Sequence, residues 1–280
     1  MPAVPQPSDI VSVFDRAAGT YDSVGVAWFG PIAAGLVQEL APQPGEYCLD
    51  VGCGRGAATR PLAEAVGPNG TVLGVDLSPR MVEATRLDVA DLPHVTIAIA
   101  DASDLGLTRS SYQVIASSLV LFFLSEPAVA LRSWTTLLVP GGRLGVTTFG
   151  PVDPWWRGID AVFEQYLPES RRNPRSTGTA SPFASDAGME GLLTGAGLSD
   201  VRTATQTVSV TFENHEQWHA FSWSHGQRAL WEAVPQNRRA EVKAQCFEVL
   251  DDARGEGGRV TLTQGVRYTL GHKTRSVRRQ

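Results

Sequence analysis

Between residues 47 and 149, short apolar runs alternate with segments whose apolar residues recur at helical spacing. The runs at 47–51, 71–75, 95–100, 112–117 and 142–148 predict strands, and the patterns between them predict helices over about 57–67, 79–90 and 125–138. The strand runs are apolar without clean alternation, as expected when helices cover both faces of a sheet. Strand and helix in this order predict a parallel, doubly wound sheet. Pro61 falls inside the first helix. Proline is tolerated only in a first turn, so that helix starts late, with Thr59 as its N-cap, or kinks there.

The flanks have a different texture. Residues 8–20 and 24–40 read as helices before the first strand, and 154–167 as an amphipathic helix after the fifth. Residues 168–182, rich in Pro, Ser, Gly and Arg, read as a mobile loop and candidate lid. A short helix at 185–196 and a strand at 201–212 follow, then helices at 214–234 and 236–253. The last strand, 259–270, alternates cleanly. Val260, Leu262, Gln264, Val266, Tyr268 and Leu270 share one face, and Arg259, Thr261, Thr263, Gly265, Arg267 and Thr269 the other. That pattern predicts a half-exposed antiparallel strand near a sheet edge. The fold class is therefore α/β: a doubly wound, mostly parallel seven-stranded sheet. N-terminal helices precede it, and a helical insertion precedes the last, antiparallel strand.

Composition narrows the partners. A net charge of −5 and a pI near 5.6 give no global basic field for nucleic acid or an anionic membrane. The one basic cluster, from His272 onward, reads as a solvated tail. Cys48, Cys53 and Cys246 lack the paired spacing of a disulfide framework or zinc site. No run approaches the roughly 18 apolar residues of a membrane span, and the Pro-rich start lacks a signal-peptide pattern. A cytoplasmic protein is expected, monomeric or paired through its apolar N-terminal helices.

The chemistry begins at "CLDVGCGRG", 48–56. Glycines there let a ligand approach the main chain, and Gly52, Gly54 and Ala57 satisfy a loose G-x-G-x-x-A. The turn alone fits a dinucleotide, another nucleotide-like cofactor or an ordinary tight turn. Asp50, Asp76 and Asp101 then fall at the ends of three successive predicted strands, where the ligand crevice of such a sheet lies. A carboxylate at 76 is placed for ribose hydroxyls. One at 101, with the N–H of Ala102, is placed for an adenine. Any one of these acids also fits a helix cap.

"CLDVGCGRGAATRPLAEAVGPNGTVLGVDLSPRMVEAT", "IADASDL" and "TLLVPGGRLGVTTF" resemble class I S-adenosylmethionine-dependent methyltransferases, closest to the ubiquinone/menaquinone-biosynthesis branch. The resemblance is strong over about 10–150 and holds in outline beyond. It implies a Rossmann-like methyltransferase fold and S-adenosyl-L-methionine as cofactor. By it, Gly52 and Gly54 lie against the methionine part, Asp76 with Leu77 at the ribose, and Asp101 with Ala102 at the adenine. Asp50 and Ser117 join the same set, and Tyr21, in "FDRAAGTYD", helps close the pocket. Three regions are implied: helices over 1–45 covering the cofactor site, a cofactor-binding core at 46–150, and strands with substrate-covering helices at 151–280. Gln113 departs from the pattern, standing where an acid is common, at the strand start and away from the cofactor edge. After strand four the chain runs Ser117, Ser118, Leu119, Val120, Leu121, Phe122, Phe123, so the acceptor mouth reads as apolar.

Methyl transfer is an in-line displacement, for which alignment and desolvation matter most. A base is needed only where the acceptor must lose a proton. The stretch 215–235 carries three of the five histidines and three of the seven tryptophans. At helical spacing His215, His219, Trp223, Gln227, Leu230 and Val234 share a face, and Trp218, Phe221, His225 and Ala229 share another. Gly226 hints at a kink there or a close backbone approach. His219 and His225 are the candidate bases, and spacing does not choose between them. Trp28, Phe29, Trp155, Trp156, Trp218 and Trp223 are candidate walls of an acceptor pocket; core packing explains each equally well. A His215/His219 metal pair lacks a third ligand, so no metal is expected. The function expected is methylation, on oxygen or carbon, of a small apolar or aromatic molecule. The other candidates are a cofactor-binding protein that steers a cyclisation without methyl transfer, and an NAD-dependent oxidoreductase.

Overall fold

The computed structural model describes residues 7–167, 181–255 and 258–275. One sheet holds β1 (Tyr47–Val51), β2 (Thr71–Asp76), β3 (Val95–Ile99), β4 (Tyr112–Ser118), β5 (Leu138–Val152), β6 (Leu198–Phe212) and β7 (Val260–Lys273). Their order is β3-β2-β1-β4-β5-β7-β6. The first five pair in parallel, and β7 runs antiparallel to both β5 and β6. The strand order reverses between β1 and β4, which makes the carboxyl ends of those two strands the crevice for a ligand.

The helices are α1 (Pro7–Ala17), α2 (Phe29–Leu40), α3 (Thr59–Val66), α4 (Pro79–Asp88), α5 (Pro127–Leu137), α6 (Trp156–Glu164), α7 (Asp186–Gly195), α8 (His215–Trp223), α9 (Arg228–Ala233) and α10 (Arg239–Asp252). β1 shows why the core strands are apolar throughout. Cys48 joins the cluster of α2 and α3 with Leu36 and Leu62, whereas Leu49 and Val51 join that of α5 with Leu131 and Trp134. Both faces of the strand are dry.

Beyond this core, β5, β7 and β6 extend as a long three-stranded ribbon. α6, α8 and α10 cover one face of it, packing Trp156, Trp218, Phe221, Val242 and Cys246 with Phe212, Val260 and Leu262. Thr205, Thr207, Ser209 and Thr211 are exposed along the edge strand β6.

The structure corrects several expectations. β7 is antiparallel and next to the sheet edge as predicted, with β6 outermost, but it is not half-exposed: Arg267 and Thr269 on its polar face are buried. Arg267 is accommodated because its guanidinium donates to Asp186 at 2.6 Å and to the Phe149 carbonyl at 2.7 Å. The helix expected over 214–234 breaks at 224–227, so His215, His219 and Trp223 no longer share a face with Leu230 and Val234. The break lies where Gly226 hinted at a kink. α3 does start late, with Pro61 in its first turn, but its N-cap is Ala58. The Thr59 hydroxyl instead donates to Asp50 at 2.6 Å. His272 and Lys273 belong to β7 rather than to a solvated tail, and the Lys273 ammonium donates to the Leu138 carbonyl at 2.7 Å. Residues 168–180, most of the expected lid, lie outside the described residues. The apolar residues of α2, among them Ile32, Leu36 and Leu40, are buried in the chain's own core. Gln113 has a structural task, accepting the Tyr47 N–H at 2.9 Å and tying the starts of β4 and β1.

α2 seats closely on the sheet because residue 35 is glycine. A Cβ there would lie 2.4 Å from the Tyr268 hydroxyl, which is buried and has no hydrogen-bond partner. Gly35→Ala is expected to lower unfolding free energy by about 1–3 kcal/mol through overpacking. Tyr268→Phe, which removes an unpartnered polar atom, should cost under about 1 kcal/mol. Urea unfolding of both variants checks this pair.

Candidate cofactor and acceptor site

The glycine turn closes onto the end of β2. The Gly52 and Cys53 N–H groups donate to the Val75 carbonyl at 2.8 and 2.9 Å. The Gly54 N–H donates to Asp76 Oδ2 at 2.8 Å, and the Gly56 N–H to the Cys53 carbonyl at 2.8 Å. Gly52, Gly54 and Gly56 all have positive φ, which only glycine adopts without strain. Their open sides differ. A Cβ on Gly52 would meet Val120 Cγ2 at 2.3 Å, whereas one on Gly54 would meet nothing within 4 Å. Gly52 thus makes room for Val120, and Gly54 is the position with space for a ligand.

This geometry argues against a dinucleotide. A diphosphate would need the N–H groups of the turn, and those of Gly52, Cys53, Gly54 and Gly56 are bonded within the protein. Carboxylates gather around the turn instead. Asp50 is 1% exposed; its Oδ2 accepts from Thr59, and its Oδ1 has no partner. Burial raises its pKa to about 7, against the opposing Thr59 hydrogen bond and with a contribution from Asp76. Asp76 is also raised, first by burial, while N–H groups of Ser78, Gly54 and Leu77 pull the other way and Asp15 adds repulsion. Its Oδ1 accepts the Ser78 N–H at 2.9 Å. Asp76 therefore closes the turn as well as standing at the strand end.

S-adenosylmethionine carries a sulfonium and an ammonium against a single carboxylate, so its net charge complements these acids. The orphan Oδ1 of Asp50, the open side of Gly54 and the acid at the β2 end are a fitting set for it. A cavity of about 660 Å³ continues the site, with Leu77, Pro79, Arg80 and Asp101 on one side and Val11, Ser12, Asp15 and Arg16 of α1 on the other. Asp101 accepts the Ser103 N–H at 2.7 Å, and the Ala102 carbonyl accepts from the Trp134 indole at 2.8 Å. Ser117 is buried and donates to the Val51 carbonyl at 3.0 Å, a tie between β4 and β1. The α1 side was not singled out in the sequence. Asp15 accepts from the Ser78 hydroxyl and the Arg80 N–H at the start of α4, where a carboxylate also suits the helix dipole. The signal was present in "FDRAAGTYD", but a lone acid on a surface helix has no spacing that marks it.

An aromatic wall stands near the end of β2, where Tyr21 feels the charge of Asp76. Tyr21 stacks on Phe29 at 4.4 Å, and Phe14 meets Tyr21 at 6.3 Å and Phe123 at 5.5 Å. Phe122 continues it to Phe123, Phe149 and Phe183 at 4.7, 5.7 and 6.4 Å. Burial, then Asp22 and Asp76, push the Tyr21 phenol up, so it stays protonated. Leu119, at the end of β4, takes φ +60, and its N–H is held by the Thr147 hydroxyl at 2.9 Å. That sharp turn carries Val120 over Gly52 and leads into Phe122 and Phe123.

The two candidate histidines part company. His225 is buried, with its ring against Phe29 at 5.7 Å and Phe221 at 4.5 Å. Its Nδ1 accepts the Gln227 N–H at 3.2 Å, which assigns the proton of the neutral ring to Nε2. His219 lies among Trp223, Trp231 and Phe247, and its Nε2 accepts the Trp223 indole N–H at 3.0 Å. Burial, then Lys243, lowers its pKa. His215 turns to α10, 3.5 Å from Asp251.

Of the candidate tryptophans, Trp28 and Trp218 are buried in the core, Trp28 edge-on to Phe221 at 5.9 Å. Trp223 stacks on Trp231 at 5.8 Å beneath Arg228 and Arg239. Trp156 is buried, and Trp155 donates to the Thr261 carbonyl at 3.2 Å on the far ribbon. Phe29 alone of the six candidates joins the aromatic wall. Phe14, Phe122, Phe123, Phe149 and Phe183 were not named as walls, because rings from four separate segments have no common period. Among the described residues, no group of three or more His, Cys, Asp or Glu is arranged for a metal ion, and no helix is long and apolar enough to cross a membrane.

Residues 49–146 match a family model described as a methyltransferase domain. The chain is 38% identical over 274 residues to the nocamycin O-methyltransferase of Saccharothrix syringae, a match covering 92% of this chain and 96% of that one. It is 36% identical over 141 residues to the aklanonic acid methyltransferase DauC of Streptomyces sp. strain C5, covering 50% of this chain and 64% of the relative. A Haemonchus contortus phosphoethanolamine N-methyltransferase 2, solved with S-adenosyl-L-methionine, shares the fold with a TM-score of 0.57 at 14% identity, over 93% of this chain and 57% of that one.

Asp50 yields a test that needs no substrate. Its folded pKa lies above the ordinary 3.8, so the folded protein holds a proton that the unfolded chain releases. The stabilisation from this proton is complete below the unfolded value and is lost as pH rises through about 7. Asp50→Asn keeps an oxygen to accept from Thr59 and removes the titration. The melting temperature of the wild type is expected to fall relative to that of the variant as pH rises across this window. A constant difference would show that Asp50 titrates normally.

Proposed function

We propose, for a chain that belongs to the class I S-adenosylmethionine-dependent methyltransferases, that it methylates an acidic oxygen of a small, flat, largely apolar molecule in specialised metabolism. The enzyme is an S-adenosylmethionine-dependent small-molecule methyltransferase; the acceptor class and the residue roles are the proposal. The observation that carries it is the aromatic wall of Phe14, Tyr21, Phe29, Phe122 and Phe123 beside the acid-lined crevice. Such a wall offers π-faces and dry surface to a conjugated acceptor.

When bound, the cofactor supplies an electrophilic methyl group on its sulfonium. Asp50, Gly54, Asp76, Leu77, Asp101 and Ala102 would hold it, with Asp50 toward its ammonium, Asp76 toward the ribose and Asp101 with Ala102 toward the adenine. The chain's other task is to align the acceptor and exclude water, since alignment and desolvation lower the barrier of an in-line displacement. Phe122 and Phe123 follow the end of β4 directly, which suits them to that role. His225, rather than His219, stands beside the wall. Its Nδ1 lone pair is held by the Gln227 N–H, so accepting a proton there would cost that bond. A carboxylate or an acidic enol, already ionised near neutrality, removes the need for a base. The full-length relative is named an O-methyltransferase and the half-length one acts on an acid by its name, which supports an acidic oxygen over carbon. Cyclisation without methyl transfer finds no support in either.

With labelled cofactor at saturation and an aromatic carboxylic acid as acceptor, kcat is expected to stay within about twofold between roughly pH 6 and 9. His219→Gln should leave it unchanged. A rate that climbs with a single ionisation in that range would call for a base. Phe122→Ala should raise the acceptor KM about tenfold, the order expected from exposing a phenyl contact, with cofactor affinity intact.

A further inference from the structure

Adjacent residues on α1, both lining the cavity, bind different elements. Asp15 accepts from the Ser78 hydroxyl and the Arg80 N–H, at the cofactor edge. Arg16 donates through Nε to Glu232 Oε1 at 2.8 Å and pairs with Oε2 through its other arm, reaching α9. Glu232 is held from its own helix by Arg228, at 2.9 Å. Just past α1, the Ala18 carbonyl accepts from Arg55 of the glycine turn at 2.7 Å, and Arg55 also pairs with Asp88 of α4. α1 is therefore tied twice to the cofactor-binding half and once to the helical insertion before β7.

α1 also serves both ligand spaces. Val11, Ser12 and Asp15 wall the cavity beside Leu77 and Asp101, and Phe14 belongs to the aromatic wall. α1 packs against both α4 and α9, so the ion pair to α9 bears on both spaces. A lone exposed pair contributes little. This one is two-pronged, is backed by Arg228, and shields its glutamate to 26% exposure.

We propose that Glu232 is a positioning residue, which acts through Arg16 to hold α1 over the bound cofactor and so links the helical insertion before β7 to the residence time of the cofactor. The inference rests on the cavity under α1 being part of the cofactor site.

S-adenosylhomocysteine is the probe, because it needs no acceptor. Glu232→Gln, isosteric but uncharged, is expected to speed its dissociation about three- to tenfold, the range of an exposed to partly buried pair. Hydrogen exchange of the α1 amides should rise with it, while the melting temperature of the ligand-free protein shifts little. Arg16→Met should have the same effect, and the double variant should be no worse than either single. Additive effects, or dissociation unchanged in folded Glu232→Gln, would overturn the proposal. A wild type that fails to bind S-adenosylhomocysteine would overturn both the proposal and the cofactor site; one whose binding survives with unchanged rates in the variant would remove the clasp alone.

Discussion

The hydrogen bond from the Gly54 N–H to Asp76, with those from Gly52 and Cys53 to Val75, locks the turn after β1 onto the end of β2. Everything at the site is placed by that closure. It fixes the positive φ values of the glycines, opens one side of Gly54, and brings Asp76 close enough to Asp50 to oppose its ionisation. It also uses the N–H groups that a diphosphate would require. One loop geometry thereby separates two cofactor classes whose glycine patterns look alike.

Buried acids are costly where nothing compensates them. Here Thr59 satisfies one oxygen of Asp50, and backbone N–H groups satisfy Asp76, so the fold tolerates both. The remaining unpartnered oxygen and the raised pKa values are features that a nearby cation would relieve.

The second half of the chain solves a different problem. The ribbon of β5, β7 and β6 outgrows the doubly wound core, and its apolar face must be covered. α6, α8 and α10 do this with aromatic and aliphatic residues, Trp156 and Trp218 among them, which is why those two tryptophans are core rather than pocket. The aromatic wall is built instead from phenylalanines of α1, α2, the segment after β4, β5 and the segment before α7. Only the tertiary fold gathers these rings.

The sequence by itself determined the core strands, the acids at their ends and the family. Two-sided burial leaves a continuous apolar run, and a strand end followed by a helix places an acid by local geometry alone. β1 was legible to the residue for that reason. The tertiary structure decided what depends on partners distant in the chain. β7 alternates like an edge strand, yet β6 pairs along its outer side. The Trp/His helix breaks at 224–227, and that break sends His225 to the wall and leaves His219 among tryptophans. Thr59 serves Asp50 rather than a helix end. Arg16 meets Glu232 across 216 positions of sequence, a separation over which no periodicity carries information. Local patterns record which faces are dry; which dry faces meet, and which charges find each other, is settled only when the whole chain packs.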